Sequence, residues 1–148
     1  MTRAPHLLLV IAPYYPHIAA LLRDGAERAV AKAGATCEIV AVPGAFEIPA
    51  AIALAARTVE RFDGFVALGC VIRGETTHYE HICAETARSL QDLMVRDGIA
   101  AGYGILTVET EAQALVRAAP DGRDKGGEAT RACLALVELR RRFQGNPQ

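Results

Sequence analysis

The chain has 148 residues, 51% of them hydrophobic, and a formal net charge of -1. That length and apolar content fit one compact domain over residues 1–148 with a continuous core. The near-neutral balance, with no basic stretch interleaved with aromatics, excludes a nucleic-acid footprint. No apolar run exceeds about ten residues, too short for a bilayer, and the amino terminus lacks a signal-peptide pattern, so a cytoplasmic protein without membrane contact is expected.

The first strand is expected at Leu7-Leu8-Leu9-Val10-Ile11. Ala12-Pro13-Tyr14-Tyr15-Pro16 follows it and puts two aromatics at one edge of the sheet. Tyrosine between prolines often makes only a rigid turn; alternatively Tyr14 presents a flat face to a planar heterocycle. Ile18, Leu21, Leu22 and Val30 then form a helical stripe ending at Gly34. A second strand, Cys37 to Val42, runs into Pro43-Gly44-Ala45-Phe46-Glu47-Ile48-Pro49, which opens a second helix with Pro49 in its first turn. Glu47 at that helix start either complements the helix dipole or accepts hydrogen bonds from a ligand. Ile48, Ile52, Ala56 and Val59 carry the stripe of this helix, but Ala50, Ala51, Ala53, Leu54 and Ala55 leave it almost no polar face before Arg57. A helix so apolar is expected to be buried on more than one side, against a second subunit or within its own chain.

The third strand is read over Phe65 to Cys70, and the residues after it are the most informative of the chain. Gly69-Cys70-Val71-Ile72-Arg73-Gly74-Glu75-Thr76-Thr77-His78 is an apolar run that ends in a polar turn, and helical spacing resumes from Tyr79 to Val95, with Asp97-Gly98 as the stop. Unpaired backbone N–H groups at such a helix start favour an anion. His78 adds there the side chain whose ordinary pKa suits proton transfer near neutral pH. His78 and His81 could in principle share a metal, but no Cys, Asp or Glu at matching spacing completes a set, so a metal is not expected. A fourth strand over Gly102 to Thr107 precedes helices at about Glu111 to Ala119 and Gly126 to Phe143. Arg140-Arg141-Arg142 at the end of the last helix reads as a solvated terminus complementing the dipole. Cys37, Cys70, Cys83 and Cys133 have no paired spacing and read as small core residues. Strand alternating with helix predicts an α/β fold with a parallel sheet covered on both faces. No glycine-rich nucleotide loop follows the first strand.

Four separated blocks together resemble lumazine synthase over nearly the whole chain: Pro43 to Pro49, Gly69 to Tyr79, Gly104-Ile105-Leu106-Thr107 with Gln113-Ala114 and Arg117, and Lys125-Gly126-Gly127-Glu128. The resemblance implies a transferase of riboflavin biosynthesis that condenses 5-amino-6-(D-ribitylamino)uracil with 3,4-dihydroxy-2-butanone 4-phosphate. It implies a flavodoxin-like three-layer α/β/α sandwich around a four-stranded parallel sheet, in homopentamers whose active sites lie between subunits. By the same resemblance Tyr14 stacks on the pyrimidinedione ring, within Pro13-Tyr14-Tyr15 in place of the usual Arg-Phe-Asn. Glu47 binds the ribityl chain beside the backbone of Ala45, Phe46 and Ile48, Val71 and Ile72 edge the ring pocket, and Tyr103 walls it. Gly74, Glu75 and Thr76 hold the phosphate, Arg117 reaches it from the adjacent subunit, His78 is catalytic, and Lys125 and Glu128 support the site. Two other readings remain: a flavin-binding or shell-forming protein without catalysis, and a flavodoxin-like electron carrier, disfavoured by the turn after the first strand. The short lead before Leu7 and Pro120 between the last helices favour free pentamers over icosahedral shells.

Overall fold

In the computed structural model, which describes residues 3–58 and 61–145, four strands and five helices alternate along the chain. They are β1 (His6–Ile11), α1 (Pro16–Lys32), β2 (Thr36–Ala41), α2 (Ile48–Thr58), β3 (Gly64–Ile72), α3 (His78–Asp97), β4 (Ala101–Val108), α4 (Glu111–Ala118) and α5 (Lys125–Phe143). A short 3₁₀ turn, Ala45–Glu47, leads into α2. The sheet is parallel throughout, in the order β2-β1-β3-β4. Val59 of the expected stripe lies outside the described residues.

Both faces of the sheet are covered, which is why its central strands read as unbroken apolar runs rather than alternating ones. Leu7, Leu9 and Ile11 of β1 point to one side, with Val66 and Leu68 of β3, and meet Ile18, Leu22 and Ala26 of α1, Ala114 and Ala118 of α4, and Ala129, Cys133 and Val137 of α5. Leu8 and Val10 point the other way, with Phe65 and Ala67, and meet Ile48 and Ile52 of α2 and Leu90 of α3. The layers are therefore α1, α4 and α5, then the sheet, then α2 and α3.

Close backbone approach fixes the start of α5: a Cβ on Gly126 would fall 2.0 Å from the Leu22 carbonyl oxygen of α1. Asp124 caps this helix by accepting the Gly127 N–H at 3.2 Å, with its own backbone in the left-handed region. At the other end the basic run is not simply solvated. Arg140 donates to the carbonyl oxygens of Asp63 and Gly98, and Arg141, 12% exposed at its side chain, stands 3.7 Å from the Asp63 carboxylate. Two of the three arginines thus fasten α5 to the start of β3. The expectation for the cysteines holds only for Cys70 and Cys133, which are buried; Cys37 and Cys83 are half-buried, and all four are free.

Helix α2 buries Ile48, Pro49 and Ile52 within its own chain, with Ala51, Ala55 and Ala56 half-buried beside them. Leu54 is 66% exposed, and Phe46 just before the helix is 54% exposed. No described helix is long and apolar enough to cross a membrane.

Candidate active site

The strand order places a topological switch between β1, which leads outward to β2, and β3, which leads to β4 on the other side. Loops leaving two such strands diverge, and a crevice opens at their carboxyl ends. A cleft of about 710 Å³ lies there. Its floor is the end of β3 with Cys70, Val71 and Ile72; one wall is the β1 exit with Tyr14 and Tyr15; another is Pro43 to Glu47 after β2; and the first turn of α3 closes it with His78, Tyr79, His81 and Ile82.

Of the residues singled out in the sequence, the cleft brings together Tyr14, Ala45, Phe46, Glu47, Val71, Ile72, Gly74, Thr76 and His78. Tyr14 is 72% exposed and touches Tyr15 edge-on, with ring centroids 5.1 Å apart, so its face is open for stacking. Among the described residues Glu47 has no ion-pair or side-chain hydrogen-bond partner, although it stands at the start of α2. The His78 imidazole likewise makes no hydrogen bond among the described residues; only its backbone N–H does, to Thr76 Oγ1 at 3.3 Å. Both groups that could serve a ligand are uncommitted.

The loop between β3 and α3 has the makings of an anion cradle. None of the backbone N–H groups of Gly74, Glu75, Thr76 and Thr77 finds an acceptor among the described residues, and Thr77 supplies no side-chain cap to α3. Donors at a helix amino terminus then face outward with the positive end of the helix dipole behind them.

Other expected site residues stand elsewhere in this chain. Ile48, the first residue of α2, is fully buried in the core and does not line the cleft. Glu75 sits exposed on the loop and does not line the cleft. Tyr103 on β4 is half-buried against the α2 and α3 side of the core, where burial pushes its phenol up. Arg117, in the last turn of α4, donates to the Gln113 carbonyl oxygen at 3.0 Å and pairs with no carboxylate among the described residues. Lys125 and Glu128 pair with each other at 2.9 Å at the start of α5. None of Tyr103, Arg117, Lys125 and Glu128 lines the cleft.

Sequence reasoning gave no ligand-binding role to several lining residues, notably Tyr15, Cys70, Tyr79, His81 and Ile82. His81 carried a usable signal, since it stands one helical turn after His78 and so shares its face. Cys70 is no nucleophile: burial, followed by the nearby Glu111 charge, pushes its thiol up to about 11. No group of three or more His, Cys, Asp or Glu residues that could hold a metal ion occurs among the described residues.

Comparison with known proteins agrees in one direction. A family model described as 6,7-dimethyl-8-ribityllumazine synthase matches residues 4–141. The chain is 54% identical over 136 residues to the protein of that name from Novosphingobium aromaticivorans, covering 92% of this chain and 96% of that one. It is 49% identical over 146 residues to the one from Bartonella tribocorum, covering 99% and 97%, and 54% identical over 141 residues to the one from Methylocella silvestris, covering 93% and 86%.

Proposed function

The chain belongs to the 6,7-dimethyl-8-ribityllumazine synthase family, and from that premise we propose how its residues carry out the reaction. The protein is a transferase of riboflavin biosynthesis: it condenses 5-amino-6-(D-ribitylamino)uracil with 3,4-dihydroxy-2-butanone 4-phosphate to give 6,7-dimethyl-8-ribityllumazine, phosphate and water. The pyrimidinedione stacks on Tyr14 against Val71 and Ile72. Its ribityl chain runs to Glu47, an acceptor with no competing partner, and to the backbone of Ala45 to Ile48. The phosphate lies on the N–H groups of Gly74 to Thr76, with Glu75 at the loop's outer edge.

Each chemical step moves a proton. The ring amine adds to the ketone, the carbinolamine loses water to an imine, phosphate is eliminated, and the second amine closes on the remaining carbonyl with loss of a second water. His78 stands between the phosphate loop and the ring pocket, where one imidazole can return to one carbon the proton it takes from another. The loop donors stabilise the departing phosphate dianion. Much of the acceleration is positional, since holding two reactive partners together removes the entropic cost of their encounter.

In this reading the cleft of one chain is incomplete. Arg117 comes from an adjacent subunit of a homopentamer and brings the missing cation, while Tyr103 walls the pocket and Lys125 and Glu128 support the site. Two observations support it. Among the described residues Arg117 has no carboxylate partner, and the exposed Phe46 leads into a groove with Pro49, Ala50 and Ala53 on the α2 side and Glu85, Arg88 and Asp92 on the α3 side, a mixed apolar and charged surface suited to a second copy, with Leu54 exposed on the same helix α2. We read residues 1–148 as one such domain, cytoplasmic, working without metal or cofactor on small-molecule substrates, and assembled as free pentamers. The observation that carries the site assignment is the uncommitted His78 beside a loop of unpaired N–H groups. Absorbance-monitored lumazine formation from the two substrates, corrected for the spontaneous reaction, tests it. Acceleration that falls when His78 is replaced supports catalysis at this cleft; acceleration indifferent to His78 removes it from the mechanism, and ribityl-compound binding without acceleration indicates a flavin-binding protein.

A further inference from the structure

The proposed phosphate loop has little of its own to hold its shape. Residues 73 to 78 are all exposed, the Gly74 to Thr77 N–H groups are unbonded among the described residues, and a Cβ on Gly74 would meet nothing within 4 Å. A cradle that must take an anion without reorganising needs an anchor. One side chain that does not line the cleft supplies it. Arg73 donates through its backbone N–H to the Val108 carbonyl oxygen at 2.9 Å and through Nε to Glu109 Oε2 at 2.8 Å, and through Nη1 it also donates to the Glu80 carboxylate. Its guanidinium lies 4.4 Å from the centroid of the Tyr79 ring. Glu109 follows β4, while Glu80 and Tyr79 belong to the first turn of α3, directly after His78. The Glu80 carboxyl is correspondingly held below the usual carboxylate range, chiefly by its hydrogen bond from Arg73.

We propose that Arg73 is a positioning residue, clamping the loop and the first turn of α3 so that the loop donors and His78 face the phosphate-bearing substrate together. This rests on reading Gly74 to Thr76 as the phosphate site. The clamp is not a major source of stability: the side chains of Arg73, Glu80 and Glu109 are 42%, 49% and 60% exposed, and exposed ion pairs contribute about 0–1 kcal/mol. Its effect is geometric, because a displacement of about 1 Å in a supporting group costs up to roughly a hundredfold in rate. The guanidinium fork serves two carboxylates and a ring face at once, which a lysine ammonium cannot.

Replacing one of those carboxylates separates positioning from direct binding. If Arg73 itself bound phosphate, Glu80 and Glu109 would compete for it, and Glu109→Gln would tighten phosphate binding. A clamp predicts the opposite. In steady-state kinetics and in titrations with inorganic phosphate, Arg73→Gln is expected to raise the phosphate-substrate KM about tenfold, leaving the ribitylaminouracil KM and the urea midpoint near wild type. Glu109→Gln is expected to weaken phosphate in the same direction, and Arg73→Lys to restore it only in part. Tighter phosphate binding in Glu109→Gln, or an unchanged phosphate-substrate KM in Arg73→Gln, overturns the proposal. Gly74→Asp, which sets a carboxylate in the loop where a Cβ has open space, checks the site itself. If it leaves phosphate binding intact, the phosphate-site reading falls and the clamp with it; if it weakens binding while Arg73→Gln does not, the clamp alone falls.

Discussion

At the scale of single residues, His78 is an imidazole with no hydrogen bond among the described residues, beside a loop of free donors, and in the proposed mechanism it assists reactants that also condense slowly unaided. Its removal should therefore slow turnover without abolishing it: His78→Ala is expected to lower kcat about 10- to 100-fold, measured against the spontaneous rate. Arg117→Ala should act on the phosphate-bearing substrate, raising its KM about tenfold or more while sparing the ribitylaminouracil KM, as loss of a charge-assisted contact demands. A thiol pushed up to about 11, as at Cys70, stays protonated near neutrality, so iodoacetamide at pH 7 should leave turnover intact; rapid inactivation traced to Cys70 by mass spectrometry would contradict that. His78 was legible in the sequence because an apolar run, a glycine turn and renewed helical spacing locate a strand's carboxyl end without any tertiary information. Tyr15, Tyr79 and Ile82 were not, since which side of a turn or a helix start faces a cleft depends on how the loops of neighbouring strands pack around it. The roles of Arg117, Lys125 and Glu128 came only from resemblance, and none of them, nor Tyr103, lines the cleft of this chain.

At the scale of elements, the strands and helices followed from periodicity, and their ends followed where chemistry punctuates them. Gly98 in the left-handed conformation closes α3, and Gly34, also left-handed, follows α1, both as their positions suggested. The third strand ran further than expected, to Ile72, because Val71 and Ile72 pair with Thr107 and Val108 of β4 and a buried parallel strand shows no alternation that would mark its end. The Arg140 and Arg141 contacts to Asp63 were invisible because they join the chain's last helix to the loop before β3. Asp63 is the hub of that edge: its carboxylate accepts from Arg3 at 2.8 and 2.9 Å and from the His6 N–H at 2.7 Å. Burial pushes its carboxyl up, but these hydrogen bonds and the arginine charges outweigh it and hold it below its ordinary value of 3.8. A depressed carboxyl stabilises the fold above its unfolded pKa and loses that contribution as pH falls through the folded value. Asp63→Ala should thus cost about 2 kcal/mol in urea unfolding at pH 7, with most of the difference from wild type gone well below pH 4. Substrate KM values should not change, because Asp63 lies at the amino ends of the strands, opposite the cleft.

At the scale of the whole molecule, the helix that looked too apolar for its own chain stays exposed along Ala50 and Leu54. Leu54→Asp should break the proposed pentamer into smaller species by light scattering and lower activity in step, because in this account the site needs its neighbour; a shell-sized wild-type particle would instead overturn the proposed free pentamer. The central claim, that one chain's His78 works with the next chain's Arg117, has a direct measurement in subunit complementation. His78→Ala and Arg117→Ala chains are unfolded and reassembled as a mixture, and lumazine formation is followed at low phosphate-substrate concentration. In a ring of heterologous contacts with random incorporation, about a quarter of the sites pair an intact His78 with an intact Arg117, so the mixture should recover roughly a quarter of wild-type activity. An activity no higher than the mean of the two variants would place both residues in the same chain's site and contradict the account.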